Sequence, residues 1–261
     1  HLNLPAKQED LEKLEIGAAV YLNGLVYTAR EGIYKKVLDE GIPLPVDLNT
    51  LSNVNFHCSP AAAPDGKGGF NVGAVTATAS FRFSKWIPRW LEQTGCRILI
   101  GKGGMPADDY KKVLAPGGAI YLTTVGYGTG ALLGRGIKQV REVHWLDELG
   151  IAQAMWLFDV ENFGPFIVES DLAGNSLFAQ HAEKRHLLLF TEAISGLKAC
   201  ANDALAQLFK LLVNLGPVLC KFQKYLRQRI GKRRLQFRII IKLDIQVVAH
   251  RMFNRRRFAF G

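Results

Sequence analysis

The chain has 261 residues, of which 48% are hydrophobic and 21% are charged. This composition excludes a disordered or collagen-like chain and indicates a globular protein with one sizeable core or two small ones. The formal net charge is +10, but from Leu187 onward there are 15 Lys and Arg against 3 Asp and Glu, whereas residues 1–186 carry 18 against 20. The first part is therefore not organised around attraction to a polyanion, and only the basic tail has a composition suited to phosphate or anionic lipid.

The cysteines and the start of the chain bear on metal content and location. The four cysteines lie far apart, without metal-ligand spacing, and are Cys58, Cys96, Cys200 and Cys220. We therefore predict no metal or cluster site made by this chain alone. The chain starts at His1 without a basic-then-apolar signal pattern, which we interpret as a processed end or a fragment. Without an apolar run long enough for a membrane span, we expect a soluble protein in the reducing cytoplasm.

Short elements alternate along the first 180 residues. Asn23-Gly24 predicts a hairpin turn between two strands, because both residues tolerate the positive φ that such a turn requires. The predicted strands are Ala18–Leu22, Leu25–Thr28, Val54–His57, Phe70–Val75, Arg97–Ile100, Ala119–Thr124, Ala154–Val160 and Phe166–Ser170. The predicted helices are 4–16, Ala29–Glu40, Trp86–Thr94, Asp108–Leu114 and Ala131–Val140. This alternation predicts a mixed α/β domain over residues 1–180.

The remaining residues, 181–261, have a different texture. An amphipathic helical stripe over Leu205–Leu215 is followed by arginine-rich clusters at Arg227–Arg238 and Arg255–Arg257. We interpret this segment as an appended, partly helical basic tail. Under one hypothesis this tail binds an acidic partner, a nucleic acid or an anionic surface. Under the other hypothesis it has no selected role.

Three cations stand beside strand ends that are rich in glycine or hydroxyl groups: Arg30, Arg82 and Lys102. Arg82 closes a segment with three hydroxyls, and Lys102 lies in a glycine cluster. A guanidinium fork suits two-point contact with a carboxylate, so the pattern favours a site for a small dicarboxylate. Separately, each feature also fits a simpler interpretation, namely a solvated lysine in a turn or a surface arginine after helix-capping hydroxyls.

Other motifs point less clearly to chemistry. The loop Gly101–Met105 lacks the spacing of a nucleoside triphosphate loop. The loop Gly126–Ala131 imitates a dinucleotide fingerprint, but its third small residue is misplaced and Asp147 lies beyond the following helix, so nicotinamide binding is a minor alternative. His57-Cys58 lacks a partner for thiol catalysis, and a buried structural cysteine is favoured.

Ordered motifs between Leu2 and about Phe178 resemble the β subunit, or C-terminal domain, of the iron–sulfur (class I) fumarate hydratase and L-tartrate dehydratase family. The matching stretches are Val20–Gly24, Tyr27–Arg30, His57–Pro60, Thr78–Arg82, Glu92–Gly95, Ile100–Met105, Val143–Trp145, Phe163–Pro165 and Asp171–Leu177. The resemblance implies an α/β fold with a mixed sheet, of the β/β/α swivelling type found in the C-terminal domain of iron–sulfur fumarases, followed by an unrelated basic tail.

The resemblance also implies a hydro-lyase. Its reaction would be the hydration of fumarate to malate, as in the tricarboxylic acid cycle, or the dehydration of a hydroxy-dicarboxylate such as tartrate. In that family a [4Fe-4S] cluster, held by an α subunit or a fused N-terminal domain, acts as a Lewis acid on the departing hydroxyl. This chain would need that partner in an oligomer and would hold no metal itself.

Residue by residue, the resemblance implies specific roles. Arg30, Arg82 and Lys102 match the family's carboxylate ligands, and Thr78 matches a threonine proposed as the proton-abstracting base. A neutral hydroxyl is a poor base, so this role requires a neighbouring positive charge that lowers its pKa. The Tyr27–Arg30 motif, YTAR rather than the VTCR of tartrate enzymes, favours fumarate and malate.

Several motif residues depart from the family pattern near the predicted pocket. Ala77 and Ala79 replace a proline and a threonine, Tyr34 replaces a histidine, and Ser59 replaces a glycine. Glu31 lengthens a motif acid. These changes leave a second hypothesis open, in which the chain is a degenerate, non-catalytic binding subunit whose basic tail associates with a polyanion.

Overall fold

A computed structural model describes residues 1–126 and 128–199 of the chain. Its contacts divide the chain into two compact units, His1–Lys184 and Arg185–Gly261. The first unit contains every strand described below, and the described residues of the second are helical. The predicted stripe at Leu205–Leu215 and the arginine clusters that follow it lie outside the described residues.

The described residues form nine strands in the first unit, together with helical segments of which the last crosses from the first unit into the second. The strands are β1 (Leu2–Asn3), β2 (Ala19–Tyr27), β3 (Val54–Phe56), β4 (Cys58–Pro64), β5 (Phe70–Ala77), β6 (Ile98–Gly101), β7 (Ile120–Thr124), β8 (Ile137–His144) and β9 (Met155–Ser170). The α-helices are α1 (Gln8–Leu11), α2 (Glu31–Tyr34), α3 (Leu48–Leu51), α4 (Ile87–Thr94), α5 (Ala107–Asp109), α6 (Gly130–Gly136), α7 (Leu146–Leu149) and α8 (Leu177–Ala199). A 3₁₀ helix spans Ser80–Trp86, and π-helical turns span Lys35–Asp39 and Tyr110–Leu114.

The main sheet is mixed and returns on itself. Strands β2, β3, β6 and β7 are parallel neighbours, in that order. The long strand β9 is antiparallel to both β7 and β2, and thus joins the two ends of the parallel set. β1 and β8 extend the sheet, while β4 and β5 form a separate antiparallel hairpin. The α/β class with a mixed sheet is therefore confirmed.

Both faces of the parallel strands are buried. In β6 and β7, Ile98, Ile100, Ile120 and Leu122 pack into one core, which also contains the aromatic residues of β9. Leu99 and Tyr121, which alternate with them, pack into a second core between the sheet and the helices around Trp90. Successive side chains of a strand point to opposite faces, so a short run of consecutive apolar residues is typical of a parallel strand covered on both sides.

The predicted hairpin at Asn23-Gly24 is wrong, because β2 runs through both residues as one strand. Gly24 has a φ of 123°, and the register with β9 shifts between Leu22 and Gly24. The positive φ of Gly24, which had indicated a turn, belongs instead to an irregularity within a strand. Leu4 lies close to Gly24 at this irregularity. The strand stays continuous because β9 pairs with it on both sides of Gly24.

The predicted helix Ala131–Val140 is correct only in its first half, since α6 ends at Gly136 and β8 follows. The apolar residues Ile137, Val140 and Val143, three apart, imitate helical spacing. They nevertheless pack against the same core, because the register with β9 shifts once between each pair of them. Each shift adds a residue, so the spacing of two becomes three.

Other boundaries differ less. The predicted strands Ala154–Val160 and Phe166–Ser170 are parts of the single strand β9, and the predicted helix over 4–16 is reduced to α1. The predicted helix Ala29–Glu40 is present as α2 and the π-helical turn that continues it. Within the part of the chain that the structure describes, no helix has both the length and the apolar content needed to cross a membrane.

Replacing Gly24 by alanine should destabilise the fold. The added Cβ would lie 2.9 Å from the Leu4 Cβ, in a backbone conformation that side chains rarely adopt. We expect Gly24→Ala to lower the free energy of unfolding by about 2 kcal/mol in urea titrations. Gly73→Ala is the matched control within β5, because open space surrounds that position and its φ is not positive. Equal stability of the two variants would contradict the account of β2.

Candidate anion-binding site

The carboxyl ends of three parallel strands bring the predicted site residues to one edge of the sheet. Arg30 follows β2, His57 follows β3 and Lys102 follows β6. Because β3 lies between β2 and β6, His57 stands between the two cations. Loops at this edge of a parallel sheet are a usual position for ligand-binding groups.

Thr78 is brought to the same edge by the β4–β5 hairpin. Its backbone N–H donates to the carbonyl oxygen of His57 at 2.6 Å, and its carbonyl oxygen accepts from the N–H of Lys102 at 3.1 Å. The N–H of Ser80 then donates to the carbonyl oxygen of Lys102 at 3.4 Å. The segment Thr78–Arg82 is thus attached to the end of the sheet directly beside Lys102.

This attachment requires a glycine at position 101. A Cβ there would overlap Ser80 Oγ and would lie 2.7 Å from Tyr121 Oη and 3.0 Å from the Thr78 carbonyl oxygen. The glycine that precedes Lys102 therefore permits the close approach of the Thr78–Arg82 segment. The two residues after Lys102, Gly103 and Gly104, have positive φ values of 73° and 72°, which turn the chain away at this point.

Arg30 is half-buried, and protein groups hold one side of its guanidinium. Its Nη1 donates to Ser59 Oγ and to the carbonyl oxygen of Ala152, the latter at 2.7 Å. Its Nε is buried and has no hydrogen-bond partner among the described residues. Burial lowers the pKa of Arg30 and the positive charge of Arg82 lowers it further, whereas Cys58 and the carboxylate of Glu31 act in the opposite direction. The two arginines are therefore close enough to repel each other, with the acid Glu31 nearby.

The other two cations, Arg82 and Lys102, form no ion pair with any described residue. Arg82 is exposed in the 3₁₀ helix, with its guanidinium carbon 5.8 Å from the centroid of the Phe83 ring. Lys102 is partly buried. Among the ion pairs of the described residues, none involves Arg30, Arg82 or Lys102, and the Thr78 hydroxyl is absent from the hydrogen bonds of the same residues. The edge is consequently positive and its polar groups are available to a small anion.

A buried polar network behind Thr78 and Lys102 was missed by sequence reasoning. Its members are fully buried and hydrogen-bonded to one another, and are Tyr34, Asn55, His57, Ser80 and Tyr121. They come from four separate regions of the sequence, so spacing does not reveal them. The one available signal is that His57 and Ser80 fall inside the quoted motifs, next to residues with a predicted role.

A second buried group supports the glycine loop after Lys102. The Met105 N–H donates to Tyr110 Oη at 2.6 Å, and Ser176 Oγ donates to Glu169 Oε1 at 2.6 Å. Burial raises the pKa of Glu169, while its hydrogen bond from Ser176 lowers that pKa; its Oε2 has no partner among the described residues. Tyr110 therefore holds the loop at Met105, and Ser176 holds the buried carboxyl group of β9.

The described cysteines do not fit the role of cluster ligands. Cys58 and Cys96 are buried free thiols. Burial raises the pKa of Cys58, and it raises the pKa of Cys96 to about 11. Iron–sulfur clusters bind thiolates, which these two sites disfavour. The described residues also contain no group of three or more His, Cys, Asp or Glu side chains arranged to hold a metal ion.

The loop over 126–131 does not lead into a dinucleotide-binding unit. The helix that follows it, α6, is succeeded by β8, which pairs antiparallel with β9. A dinucleotide-binding unit requires a parallel strand at that point, with an acidic residue at its end. Asp147 lies instead in the short helix α7. The geometry therefore gives the nicotinamide alternative no support.

Together, the fold and this edge define an α/β domain with a closed mixed sheet and a cationic site at the carboxyl ends of its parallel strands. A family model described as "Fumarase C-terminus" matches residues 1–181. The chain belongs to this family. Several of the motifs through which the sequence resembles the family lie at this edge of the sheet.

Known relatives are found among hydro-lyases. The L(+)-tartrate dehydratase subunit beta of Escherichia coli K12 is 31% identical over 196 residues, which cover 70% of this chain and 90% of that protein. A Methanocaldococcus jannaschii protein provisionally given the same name is 34% identical over 180 residues, 68% of this chain and 90% of its own length. A Geobacillus stearothermophilus protein, provisionally named a class I fumarate hydratase, is 34% identical over 176 residues, 67% of this chain but 33% of that protein.

The stability of the fold should depend on pH through His57. Burial lowers its pKa to about 3, and the charge of Arg30 acts in the same direction. The unfolded chain binds this proton near pH 6.5, so between pH 7 and 5 it takes up a proton that the folded chain excludes. Over this range we expect the free energy of unfolding, measured by urea titration, to fall by about 2 kcal/mol more in the wild type than in His57→Asn. Equal losses would show that the imidazole is accessible to protons in the folded protein.

Proposed function

We propose that residues 1–180 form the β-type domain of an iron–sulfur-dependent hydro-lyase that acts on a four-carbon dicarboxylate. The observation that supports this proposal is the positive edge, where Thr78 is bonded through its backbone to Lys102 and the charge of Arg82 reaches Arg30, while no ion pair of the described residues involves these three cations. The names of the relatives, which are β subunits of tartrate dehydratase and a class I fumarate hydratase, support the reaction class. The domain would have the swivelling-type architecture, with residues 181–261 as a separate basic tail.

The three cations are assigned to the carboxylates of the substrate. A dicarboxylate carries two negative charges, which the cations would neutralise while their N–H groups fix the position of the carbon skeleton. The buried Nε of Arg30 supplies a donor that lacks a protein acceptor among the described residues. Bringing an anion between Arg30 and Arg82 would also relieve the repulsion that lowers the pKa of Arg30.

Thr78 is assigned to proton transfer at a substrate carbon. Its side chain is 7% exposed and its backbone is held on both sides, by His57 and by Lys102. The ammonium of Lys102 would favour the alkoxide form of a neighbouring hydroxyl, and the Thr78 Oγ1 could then accept a proton during dehydration and return it during hydration. Burial of the hydroxyl keeps bulk water from competing for that proton.

The [4Fe-4S] cluster is assigned to an α subunit or a fused N-terminal domain in an oligomeric, cytoplasmic enzyme. When bound, the cluster supplies Lewis-acid chemistry at the departing hydroxyl. The buried thiols of Cys58 and Cys96 support a location in the partner, since neither fits a ligand. The role of this chain is to bind and orient the substrate and to move its proton.

The departures from the family pattern are compatible with binding. Ser59, in place of glycine, accepts a hydrogen bond from Arg30 Nη1 and donates one to the Ala152 carbonyl oxygen at 3.3 Å, so it fixes the guanidinium rather than neutralising it. Tyr27 and Ala29, the two positions at which YTAR differs from VTCR, are fully buried; Tyr27 Oη accepts from Trp90 Nε1, and the Ala29 N–H donates to Asn55 Oδ1. The motif therefore differs from that of tartrate enzymes at core positions, and assays with both substrates are needed to distinguish the two activities.

Arg82→Ala should abolish most of the activity of the complex. The full chain, combined anaerobically with a cluster-bearing α subunit of a close relative, is expected to hydrate fumarate or dehydrate L-tartrate. Loss of one charge-assisted contact should lower kcat/KM by about 10- to 100-fold for the active substrate. Lys85→Ala is the matched control, because it removes a cation from the same 3₁₀ helix, and the ammonium of Lys85 lies over the Trp86 ring. We expect this variant to change kcat/KM less than about twofold.

The opposite result would favour a non-catalytic subunit. If the reconstituted wild type neither hydrates fumarate nor dehydrates tartrate, the hydro-lyase proposal fails. Retention on nucleic acid or anionic vesicles that disappears on removal of residues 187–261 would then support the alternative of a binding subunit with a basic tail.

A further inference from the structure

Five buried polar side chains form a continuous hydrogen-bonded chain behind Thr78 and Lys102. The donor–acceptor distances are 2.7 Å from Asn55 Nδ2 to Tyr34 Oη, 2.6 Å from Tyr34 Oη to His57 Nε2, 2.7 Å from His57 Nδ1 to Ser80 Oγ and 2.8 Å from Tyr121 Oη to Ser80 Oγ. Polar groups in such a dry environment are costly unless each finds its partner, so the arrangement of hydrogens is tightly constrained.

The backbone fixes the direction of this chain at one end. The N–H of Ala29 donates to Asn55 Oδ1 at 2.9 Å, so the amide must point its Nδ2 toward Tyr34. Tyr34 Oη accepts that hydrogen bond and directs its own hydrogen to His57 Nε2. Asn55 Nδ2 also lies 3.4 Å from the same nitrogen. With donors on this side, Nε2 is an acceptor and carries no hydrogen.

His57 therefore has its hydrogen on Nδ1 and donates it to Ser80 Oγ. The ring stays neutral because it is fully buried and Arg30, the charged group that faces it among the described residues, repels a second proton. Burial raises the pKa values of Tyr34, Cys58 and Tyr121, so these neighbours are neutral as well. The direction of the chain is thus independent of pH over the physiological range.

Ser80 is the point where the chain meets the site. Its Oγ accepts from His57 and from Tyr121, and its backbone N–H donates to the carbonyl oxygen of Lys102. Two residues earlier, the carbonyl oxygen of Thr78 accepts from the N–H of Lys102. Any displacement of the Ser80 side chain would therefore move the backbone that places Thr78 beside Lys102.

We propose that His57 is a positioning residue, fixed by Tyr34 as the neutral Nδ1–H tautomer, which holds Ser80 and through it the Thr78–Arg82 segment against Lys102. Its effect on turnover rests on the proposed function. Its effect on the tautomer and on the backbone beside Lys102 does not, and both can be measured on the full chain alone.

The first test is nitrogen NMR of the full chain labelled with ¹⁵N at histidine, recorded from pH 5 to 8. The chain has 6 histidines, and the signals that vanish in His57→Asn identify the residue. We expect His57 Nε2 to resonate as an unprotonated nitrogen and Nδ1 as a protonated one, with no change over this range. A hydrogen on Nε2, or a ring that titrates between pH 5 and 8, would overturn the proposal.

The second test compares two serines of the same 3₁₀ helix. Ser80→Ala removes the acceptor of His57, whereas Ser84→Ala removes a hydroxyl that donates to Asp109, outside the network. We expect faster amide hydrogen exchange in peptides covering residues 76–82 and 100–104 for Ser80→Ala, and wild-type exchange there for Ser84→Ala. Unchanged exchange in Ser80→Ala would show that the side chain does not hold the segment.

Turnover provides the third measurement, in the reconstituted complex. Misplacement of the Thr78–Arg82 segment should lower kcat by at least about tenfold in Ser80→Ala and also raise KM, because Thr78 and the carboxylate-binding Arg82 move together, whereas Ser84→Ala should change neither. His57→Asn keeps an amide donor near the position of Nδ1 and should retain more activity than His57→Leu, which keeps none. Equal activity of the two His57 variants, or wild-type kcat in Ser80→Ala, would count against positioning.

Failure of the proposed function is distinguishable from failure of this inference. An inactive wild-type complex overturns the hydro-lyase assignment, while the tautomer and the hydrogen exchange still decide whether His57 holds the segment. An active wild type with unaffected Ser80→Ala leaves the assignment intact and overturns the positioning role.

Discussion

The site depends on one backbone connection, in which Thr78 bridges the carbonyl oxygen of His57 and the N–H of Lys102. The parallel strands β3 and β6 are already joined at this edge, where the His57 N–H donates to the Ile100 carbonyl oxygen at 2.8 Å. Thr78 continues this pairing past the strand ends, between His57 and Lys102. Its hydroxyl therefore occupies a position fixed by the sheet rather than by a mobile loop.

The positive charge of the edge follows from its cations, which form no ion pair among the described residues. Exposed acids of the first unit pair with nearby lysines and arginines, as Asp108 does with Lys112 and as Glu31, next to Arg30 in the chain, does with Lys35. Such surface pairs contribute little to stability. No ion pair of the described residues involves the cations of the edge, and the burial of Arg30 and then the charge of Arg82 lower the pKa of Arg30, which is the cost of keeping these cations together. This cost is the counterpart of an affinity for small anions, in keeping with the tendency of perturbed groups to mark functional sites.

Local patterns in the sequence predicted the elements that depend on local rules. Consecutive apolar residues at Ile98–Ile100 predicted a strand buried on both faces, and the strand predicted at Phe70–Val75 is present as β5. Local rules failed where β9 intervened: it keeps Asn23-Gly24 within a strand, and its register shifts give Ile137, Val140 and Val143 a helical spacing. The residues of β9 that pair with β2 lie more than a hundred positions away, so this pairing leaves no mark on the local pattern around Asn23-Gly24.

The same distinction applies to the site. The cations and Thr78 were identified because each stands in a short motif beside a strand end, and the topology explains why those ends meet. The hydrogen bond between Tyr34 and His57, by contrast, joins helix α2 to the residue that follows strand β3. The contact between these two segments depends on the packing of Tyr34 against Trp90. A buried tyrosine in an aromatic cluster looks like ordinary core in a sequence, and only its hydroxyl contact shows another role.

The β4–β5 hairpin has a consequence for evolution. It leaves the sheet after His57 and returns at Thr78, with Cys58 opposite Ala77 and the turn closed by the Asp65 N–H donating to the Gly69 carbonyl oxygen. Because the two strands run back along each other, lengthening or trimming both by equal amounts at the tip leaves the returning residue in place. The turn between Pro64 and Phe70 can thus vary in length between homologues, or accept a grafted peptide, whereas the arms of the hairpin are constrained because Ala62, Phe70 and Val72 pack against the core.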